Sequence, residues 1–469
     1  MIPAPPGDRL PDGFAVRLDP RTRRRDGGAT LLGGSPLRLL RLAPRAAALL
    51  ATDRLAVRDA TSAALAARLL DNGLAHPDLA PDAGGADVTV VVPVKDRPAG
   101  LARLLAALRA DPATAGLPVV VVDDGSAVPV AAPDGVRVLR HAVARGPAAA
   151  RNAGLAAAGT DLVAFLDSDC APRPGWLARL RSHLADPRLA VVAPRIVSLS
   201  GAPRGWITPY EDVAGALDMG PHAAAVRPLS AVAYVPSAAL LVRRTALGGG
   251  FDEDLRVAED VDLVWRLTAA GWRVRYEPGA EVAHEHPAAL SDWLRRRAFY
   301  GTGAALLAAR HGAAVAPLVI APETALTWAL LVAGGRRGRA VATAVLGLTG
   351  VRLARRLAGP SEPVPAALAA ALVARGLAAS GQSLARAVTR HHWPVAIAAA
   401  VVSRRARRVV PAAALADALA AWWPHRGRIG PVRHGLARRL DDLAYGAGLW
   451  TGAARARDPR ALLPARPPR

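Results

Sequence analysis

One cysteine, Cys170, and one lysine, Lys95, stand in the 469 residues of this chain. A lone cysteine excludes an internal disulfide and fits a reducing compartment. Aromatic residues make up only 4% of the chain, too few to interleave with basic patches as stacking platforms, so a nucleic-acid partner is not expected. Acidic residues are also scarce, 38 against 60 basic ones, which leaves a formal net charge of +22. That surplus calls for an anionic counterpart, and an anionic membrane surface or a diphosphate substrate can supply it. The opening segment MIPAPPGDRLPDGF lacks the charged and apolar regions of a signal peptide, so the catalytic part is expected in the cytoplasm.

What is present falls into three blocks. Residues 1–85 read as a small α+β module: FAVRL, TLLGG and LRLLRL are strand-like, while RAAALLA and TSAALAARLLDNGL have helical spacing, the latter with Thr61 or Ser62 as cap. This module loosely resembles the winged-helix domains that recognise peptides, with GFAVRL offering a strand edge. PDAGGAD follows as a linker. Residues 86–310 change character. VTVVVPV, VVVVDD and LVAFLD are continuous apolar runs, as strands covered on both faces are, and helical segments lie between them, which predicts an α/β block on a parallel sheet.

Residues 311–469 are Ala- and Arg-rich, helical and apolar. The stretch 313–335 has spanning length despite Pro317, Pro322 and Glu323, and shorter apolar runs follow at 340–351, 364–380 and 394–402. A membrane span takes about 20 apolar residues. Arg336, Arg337, Arg352, Arg355 and Arg356 flank these runs, which predicts a membrane-associated region whose arginines face an anionic cytoplasmic surface.

Chemistry is expected at the strand ends, because ligands of open α/β sheets bind outside the carboxyl edge. Lys95, Asp96 and Arg97 follow the first run, Asp123, Asp124, Gly125 and Ser126 end the second, and Asp167, Ser168 and Asp169 end the third. Asp and Ser at one strand end are ordinary caps and turns. Three acidic strand ends in succession, one of them a DxD, point instead to a hard divalent cation and the diphosphate it would carry. ARGPAAARNAG places Gly146 and Pro147 at a helix start, with Arg151 and Asn152 one turn on, where they would face a bound donor.

In this order, VVVPVKDRP, VVDDGS, ARGPAAARNAG, FLDSD, GGFDEDL and AEDVDLVWRL resemble the family 2 glycosyltransferases. The resemblance implies a GT-A nucleotide-sugar-binding domain, a divalent metal (Mn2+ or Mg2+), and roles for single residues. Asp96, Asp124, Arg151, Asn152 and Asp167 would bind the donor, Asp124 at the uracil edge. Asp167 and Asp169 would hold the metal, and His284, of the His284/His286 pair, would be its third ligand. Asp260 would be the catalytic base of an inverting transfer, its acidity weakened by Glu259. The Gln-Arg-Trp motif of processive relatives is absent at Arg296, Arg297 and Tyr300.

GFAVRLDP and RRRAFYGTGAA further resemble the glycosyltransferases of the mycofactocin system. That likeness implies transfer of glucose from UDP-glucose to a peptide-derived redox cofactor precursor. The residues alone reach only a nucleotide-sugar donor and an acceptor hydroxyl, and a cell-envelope enzyme acting on a lipid-linked or polysaccharide acceptor is the alternative.

Overall fold

In the computed structural model every residue is described except 8, 83–86, 132–133, 202–203, 360–364 and 468–469. The described chain divides into two compact units, 1–203 with 214–286, and 204–213 with 287–469. The expected boundary at 85 lies outside the described residues.

The first unit opens with β1 (Ala15–Leu18), β2 (Arg23–Arg25), β3 (Thr30–Gly33), β4 (Arg38–Arg41), α1 (Pro44–Leu49), β5 (Arg54–Ala56), α2 (Ala60–Asp71) and β6 (Ala75–Pro77). These strands form two antiparallel sheets, β5-β1-β6 and β2-β3-β4. Phe14, Val16, Leu31, Leu69 and Leu70 are buried together beneath them. Two expectations are corrected here. The cap of α2 is Asp59: its carboxylate accepts the Ser62 N–H at 2.7 Å, and Ser62 Oγ accepts the Asp59 N–H at 3.0 Å, a reciprocal capping box. The GFAVRL strand presents no edge, because β1 is the middle strand and pairs on both sides. A short run with one exposed residue, Arg17, suits a central position as well as a peripheral one, so the sequence pattern could not tell them apart.

The remainder of this unit is built on a larger sheet. Its elements are β7 (Val88–Val94), α3 (Pro98–Ala110), β8 (Val119–Asp124), β9 (Val136–His141), α4 (Pro147–Ala157), β10 (Leu162–Leu166), β11 (Cys170–Pro172), α5 (Trp176–His183) and β12 (Leu189–Ser198). After α6 (Thr208–Ala214), most of which belongs to the second unit, come β13 (Ala224–Ala225), β14 (Ala239–Arg243), α7 (Glu259–Ala269) and β15 (Arg273–His284). The order is β11-β15-β12-β14-β10-β7-β8-β9, with β13 beside β15.

Strands β9, β8, β7 and β10 are parallel as expected, whereas β14 runs antiparallel to β10. The sheet is therefore mixed. ALLVR is buried on both faces, and a covered strand reads as an apolar run whichever way it points. The chain order reverses at β7, which has β8 on one side and β10 on the other. A crevice opens at such a switch point beyond the carboxyl ends.

The small sheets are tied to the large one by charge. Arg273 at the start of β15 donates to Asp71 at 2.7 Å and to Asp186 at 3.0 Å, and Arg275 donates to His76 Nδ1 at 2.7 Å. Trp272 Nε1 donates to the Pro3 carbonyl at 2.7 Å, which pins the first residues to the same edge.

The second unit is helical: α8 (Leu290–His311), α9 (Pro322–Ala333), α10 (Gly335–Leu357), α11 (Ala366–Arg386), α12 (Trp393–Val402), α13 (Ala406–Trp422) and α14 (Pro431–Ala456). The expected boundary at 310 falls at the end of α8. Helices α8 and α14 pack backbone to backbone, since a Cβ on Gly448 would lie 1.8 Å from the Ala298 carbonyl. Between them Arg297 is buried and ion-paired with Glu211 and, at 3.3 Å, with Asp441.

The stretch 313–335 is not one helix; it contains a loop and only α9 and the start of α10. Pro317 and Pro322 explain the interruption. Among the described residues, one helix is long and apolar enough to cross a membrane by length and composition, Ala366–His391. The apolar run expected there began at 364, which lies outside the described residues.

Asp186 is 1% exposed and depends on Arg273. Arg273→Met would leave it buried without its ion-pair partner, so a loss of about 3 kcal/mol is expected in urea unfolding. An unchanged midpoint would show that the Arg273 pairs do not hold the joint.

Candidate active site

Each acidic strand end is fixed by the turn that follows it. At the end of β7, Asp96 is exposed with φ of 53°; its N–H donates to Ser126 Oγ at 3.0 Å and its carboxylate accepts the Ala127 N–H at 2.7 Å. At the end of β8, Asp123 is fully buried and serves the turn, accepting from Ser126 and Val130 N–H groups and pairing with Arg140. Asp124 accepts from the His141 ring at 2.7 Å and from the Arg145 and Gly146 N–H groups, each at 2.8 Å. Burial alone would raise the pKa of Asp124, but the Arg145 N–H, the His141 ring and the Gly146 N–H together hold it below the usual carboxylate range.

Helix α4 starts at Pro147, as expected, and carries two residues that work in different directions. Arg151 is 3% exposed; it donates to Asp167 at 2.6 Å and to Glu259 at 2.9 Å. Burial works to lower its pKa, and the two carboxylates more than offset this, so it stays a cation. Asn152 lies beside it but turns to the loop ahead of α7. Its amide donates to the Phe251 carbonyl at 2.8 Å and to Glu253 at 3.0 Å, and its Oδ1 accepts the Phe251 N–H at 2.9 Å. Gly250 makes room for this grip: its φ is 75° and a Cβ there would lie 2.3 Å from Asn152 Oδ1.

Beyond β10, Asp169 lies 3.3 Å from the Arg97 guanidinium and 3.3 Å from His284 Nε2. The pairing of β11 with β15, Cys170 opposite His284, sets this contact. His284 is thus the histidine that meets the DxD, and the His286 ring centroid lies 5.2 Å from its own. Cys170 is buried, with Sγ directed at the Ala238 carbonyl at 3.3 Å. Burial and the carboxylates of Asp167 and Asp169 raise its pKa well above the ordinary thiol value, so it remains a thiol.

Among the described residues, no three His, Cys, Asp or Glu side chains already form a cluster that could hold a metal ion. Two donors do fit one. His284 Nδ1 is buried without a hydrogen-bond partner, while Nε2 stands 3.3 Å from Asp169. That separation suits two ligands sharing one divalent cation at roughly 2.0–2.2 Å each. Asp167, 30% exposed, meets Arg151 through one oxygen, Oδ1.

Helix α7 begins after Ala258, whose φ is 65°. Asp260 accepts from the Ser237 N–H at 3.1 Å and the Val261 N–H at 2.8 Å. Burial first, and then the neighbouring Glu259 carboxylate, push its pKa up to about 7. A carboxylate that can gain or lose its proton near neutrality is what acid–base chemistry requires.

The structure therefore brings Arg151, Asp167, Glu259 and Asp260 into one polar group, with Asp169 and His284 at another contact. It leaves Asn152 on the loop and Asp124 under the α4 turn. Arg97, His141 and Glu253 take part without having been assigned roles from sequence. Each stands inside or beside a recognised motif, but its partner is 17 to 101 residues away.

Comparison with known proteins settles the family. The chain is 49% identical over 471 aligned residues, 97% of its length and 98% of the relative's, to the pre-mycofactocin glycosyltransferase of Mycobacterium tuberculosis. The profile of Glycosyl transferase family 2 matches residues 89–247. The chain belongs to the family 2 glycosyltransferases. It is a sugar-transferring enzyme with a GT-A-like fold. The succinoglycan biosynthesis protein ExoU of Rhizobium meliloti is 33% identical over 40% of this chain and 59% of its own. A mannosyltransferase structure from Pyrobaculum calidifontis covers 74% of this chain and 90% of its own at 21% identity and a TM-score of 0.37; a likeness that slight carries no argument about ligands. The family 2 match takes in Asp96, Asp124, Arg151, Asn152, Asp167 and Asp169, and ends before Asp260 and His284.

Two outcomes are expected from this geometry. Gly250→Ala would press on Asn152 and lower transfer by about tenfold or more, checked by steady-state kinetics at a temperature well below the melting transition of both proteins. The raised pKa of Asp260 also has a stability consequence. Between its ordinary value of 3.8 and about 7 the folded state binds the extra proton, so stability declines as pH rises through that window. Asp260→Asn removes the ionisable group and is expected to gain stability relative to the parent at pH 8 but not at pH 4. A parallel pH profile for the two proteins would contradict the burial of a charge at Asp260.

Proposed function

We propose that this enzyme moves glucose from UDP-glucose to a hydroxyl of a peptide-derived acceptor of the pre-mycofactocin type, inverting the anomeric carbon, at the cytoplasmic face of a membrane. One observation carries the reading: the 49% identity to the pre-mycofactocin glycosyltransferase extends over 97% of the chain, taking in the module before the sheet and the helices after it. The succinoglycan biosynthesis protein ExoU aligns with only 40% of the chain, which supports a polysaccharide acceptor less.

In this reading Asp260 takes the proton of the acceptor hydroxyl as the oxygen attacks, and its raised pKa suits the task at neutral pH. Glu259 keeps the proton affinity of Asp260 high while Arg151 holds Glu259 in place. Asp124 has three of its roughly four lone-pair positions filled by protein donors and keeps capacity for a uracil imide N–H. Asp96, exposed at the switch point, flanks the nucleotide. Asp169 and His284, with Asp167, would hold a divalent cation, Mn2+ or Mg2+, which supplies charge neutralisation on the departing diphosphate. The N-terminal module would meet the peptide part of the acceptor, in the manner of a winged-helix recognition domain.

Asp260→Asn separates the roles. Transfer is expected to fall by about 10²- to 10⁴-fold while UDP binding by calorimetry persists. Asp169→Asn is expected to weaken manganese-dependent UDP binding itself. Near-normal turnover by Asp260→Asn would remove Asp260 as the base, and metal-independent binding of UDP would remove the proposed cation.

A further inference from the structure

Helix α12, Trp393–Val402, contains no buried residue among its ten. Its side chains are almost all aliphatic, and Val395 is 54%, Ile397 53%, Val401 72% and Val402 84% exposed. A helix apolar on every face gains nothing from water and is stable only when something covers it. The exposed apolar surface continues on α13 with Leu415 and Leu419 and on Trp423 just past its end.

Charge selects what covers it. Directly after Val402 come Arg404, Arg405, Arg407 and Arg408, all exposed. Arg407 turns back and donates to the Ala400 and Val401 carbonyls at 3.2 and 2.9 Å, closing the end of α12. Arg404, Arg405 and Arg408 extend into solvent. Between Glu323 and Asp417 the sequence has a single acidic residue, Glu362. A second copy seated on this face would bring two such arginine clusters together, an excess of like charge. Anionic phospholipid headgroups beside an acyl layer satisfy both halves of the surface.

We propose that α12 and the arginines Arg404, Arg405 and Arg408 form the element that seats the helical unit in an anionic lipid leaflet. This deepens, and rests on, the membrane association proposed above. At 1.5 Å per residue a ten-residue helix is about 15 Å long, roughly half the hydrocarbon thickness of a bilayer. Helix α12 therefore enters one leaflet and does not cross, with the following arginines at headgroup level.

Vesicle flotation of the full-length enzyme tests the assignment, using phosphatidylcholine alone and phosphatidylcholine mixed with phosphatidylglycerol. The parent protein is expected to float with the mixed vesicles at low salt and to stay below with phosphatidylcholine alone. The Val401→Asp/Val402→Asp variant is expected to lose flotation and keep its glycosyl transfer to a soluble acceptor, since both side chains touch no core. Arg404→Gln/Arg405→Gln/Arg408→Gln is expected to lose about fivefold in partition per arginine, about a hundredfold in all. Parent-like flotation of the valine variant would overturn α12 as the docking element while leaving membrane association standing. Failure of the parent to float with either vesicle would overturn both. A concentration-dependent dimer abolished by the valine variant, without flotation of the parent, would reassign the face to a contact between copies.

Discussion

The Arg151 guanidinium, buried between Asp167 and Glu259, is the interaction on which the candidate site depends. A cation only 3% exposed at the side chain survives burial because two carboxylates meet it at 2.6 and 2.9 Å, and those carboxylates in turn tolerate each other because it lies between them. Asp167 ends β10 and Glu259 opens α7, so one side chain on α4 fixes the end of the DxD strand relative to the helix that carries Asp260. Asn152, the next residue, holds the loop that leads into that helix through the backbone of Phe251. Two adjacent residues on α4 thus set the distance between the donor side of the sheet and the carboxylate with the raised pKa.

The same rule, that charge enters the interior only with its partner, orders the helical unit. Arg297 meets Glu211 and Asp441, Arg390 meets Asp441 and Asp442, and Arg438 and Arg439 meet Asp417. Aliphatic side chains of α10, α12 and α13 face outward, Val341, Leu348, Val402 and Leu415 among them. Paired charges inside, with aliphatic groups and unpaired arginines such as Arg404 and Arg405 outside, are the pattern on which the proposed lipid contact rests.

Much of the sheet was legible because a doubly covered strand must be continuously apolar. VTVVVPV, VVVVDD and LVAFL became β7, β8 and β10 with their acidic ends at one edge. The motifs likewise put His284 with the DxD, whereas Arg151, expected to face the donor, is taken up by Asp167 and Glu259. What could not be read were choices made by distant partners. The antiparallel direction of β14, the central place of β1 between β5 and β6, and the turn of Asn152 toward Phe251 all depend on residues far along the chain. Asp59 and Ser62 lie close in sequence, yet Thr61, Ser62 and Asp59 are all good caps, and propensity alone does not choose among them.

Arg151 itself offers the most direct test of the account. Arg151→Met keeps an unbranched apolar stem and removes the guanidinium, with its two ion pairs and its place over the Phe251 ring, leaving Asp167 and Glu259 unneutralised. The measurement is glycosyl transfer with a folded-state check by circular dichroism. The account predicts a folded protein whose transfer rate has dropped by about 10²-fold or more, because both the strand end and the α7 carboxylates lose their common anchor. Transfer within a fewfold of the parent, from an equally folded variant, would contradict it.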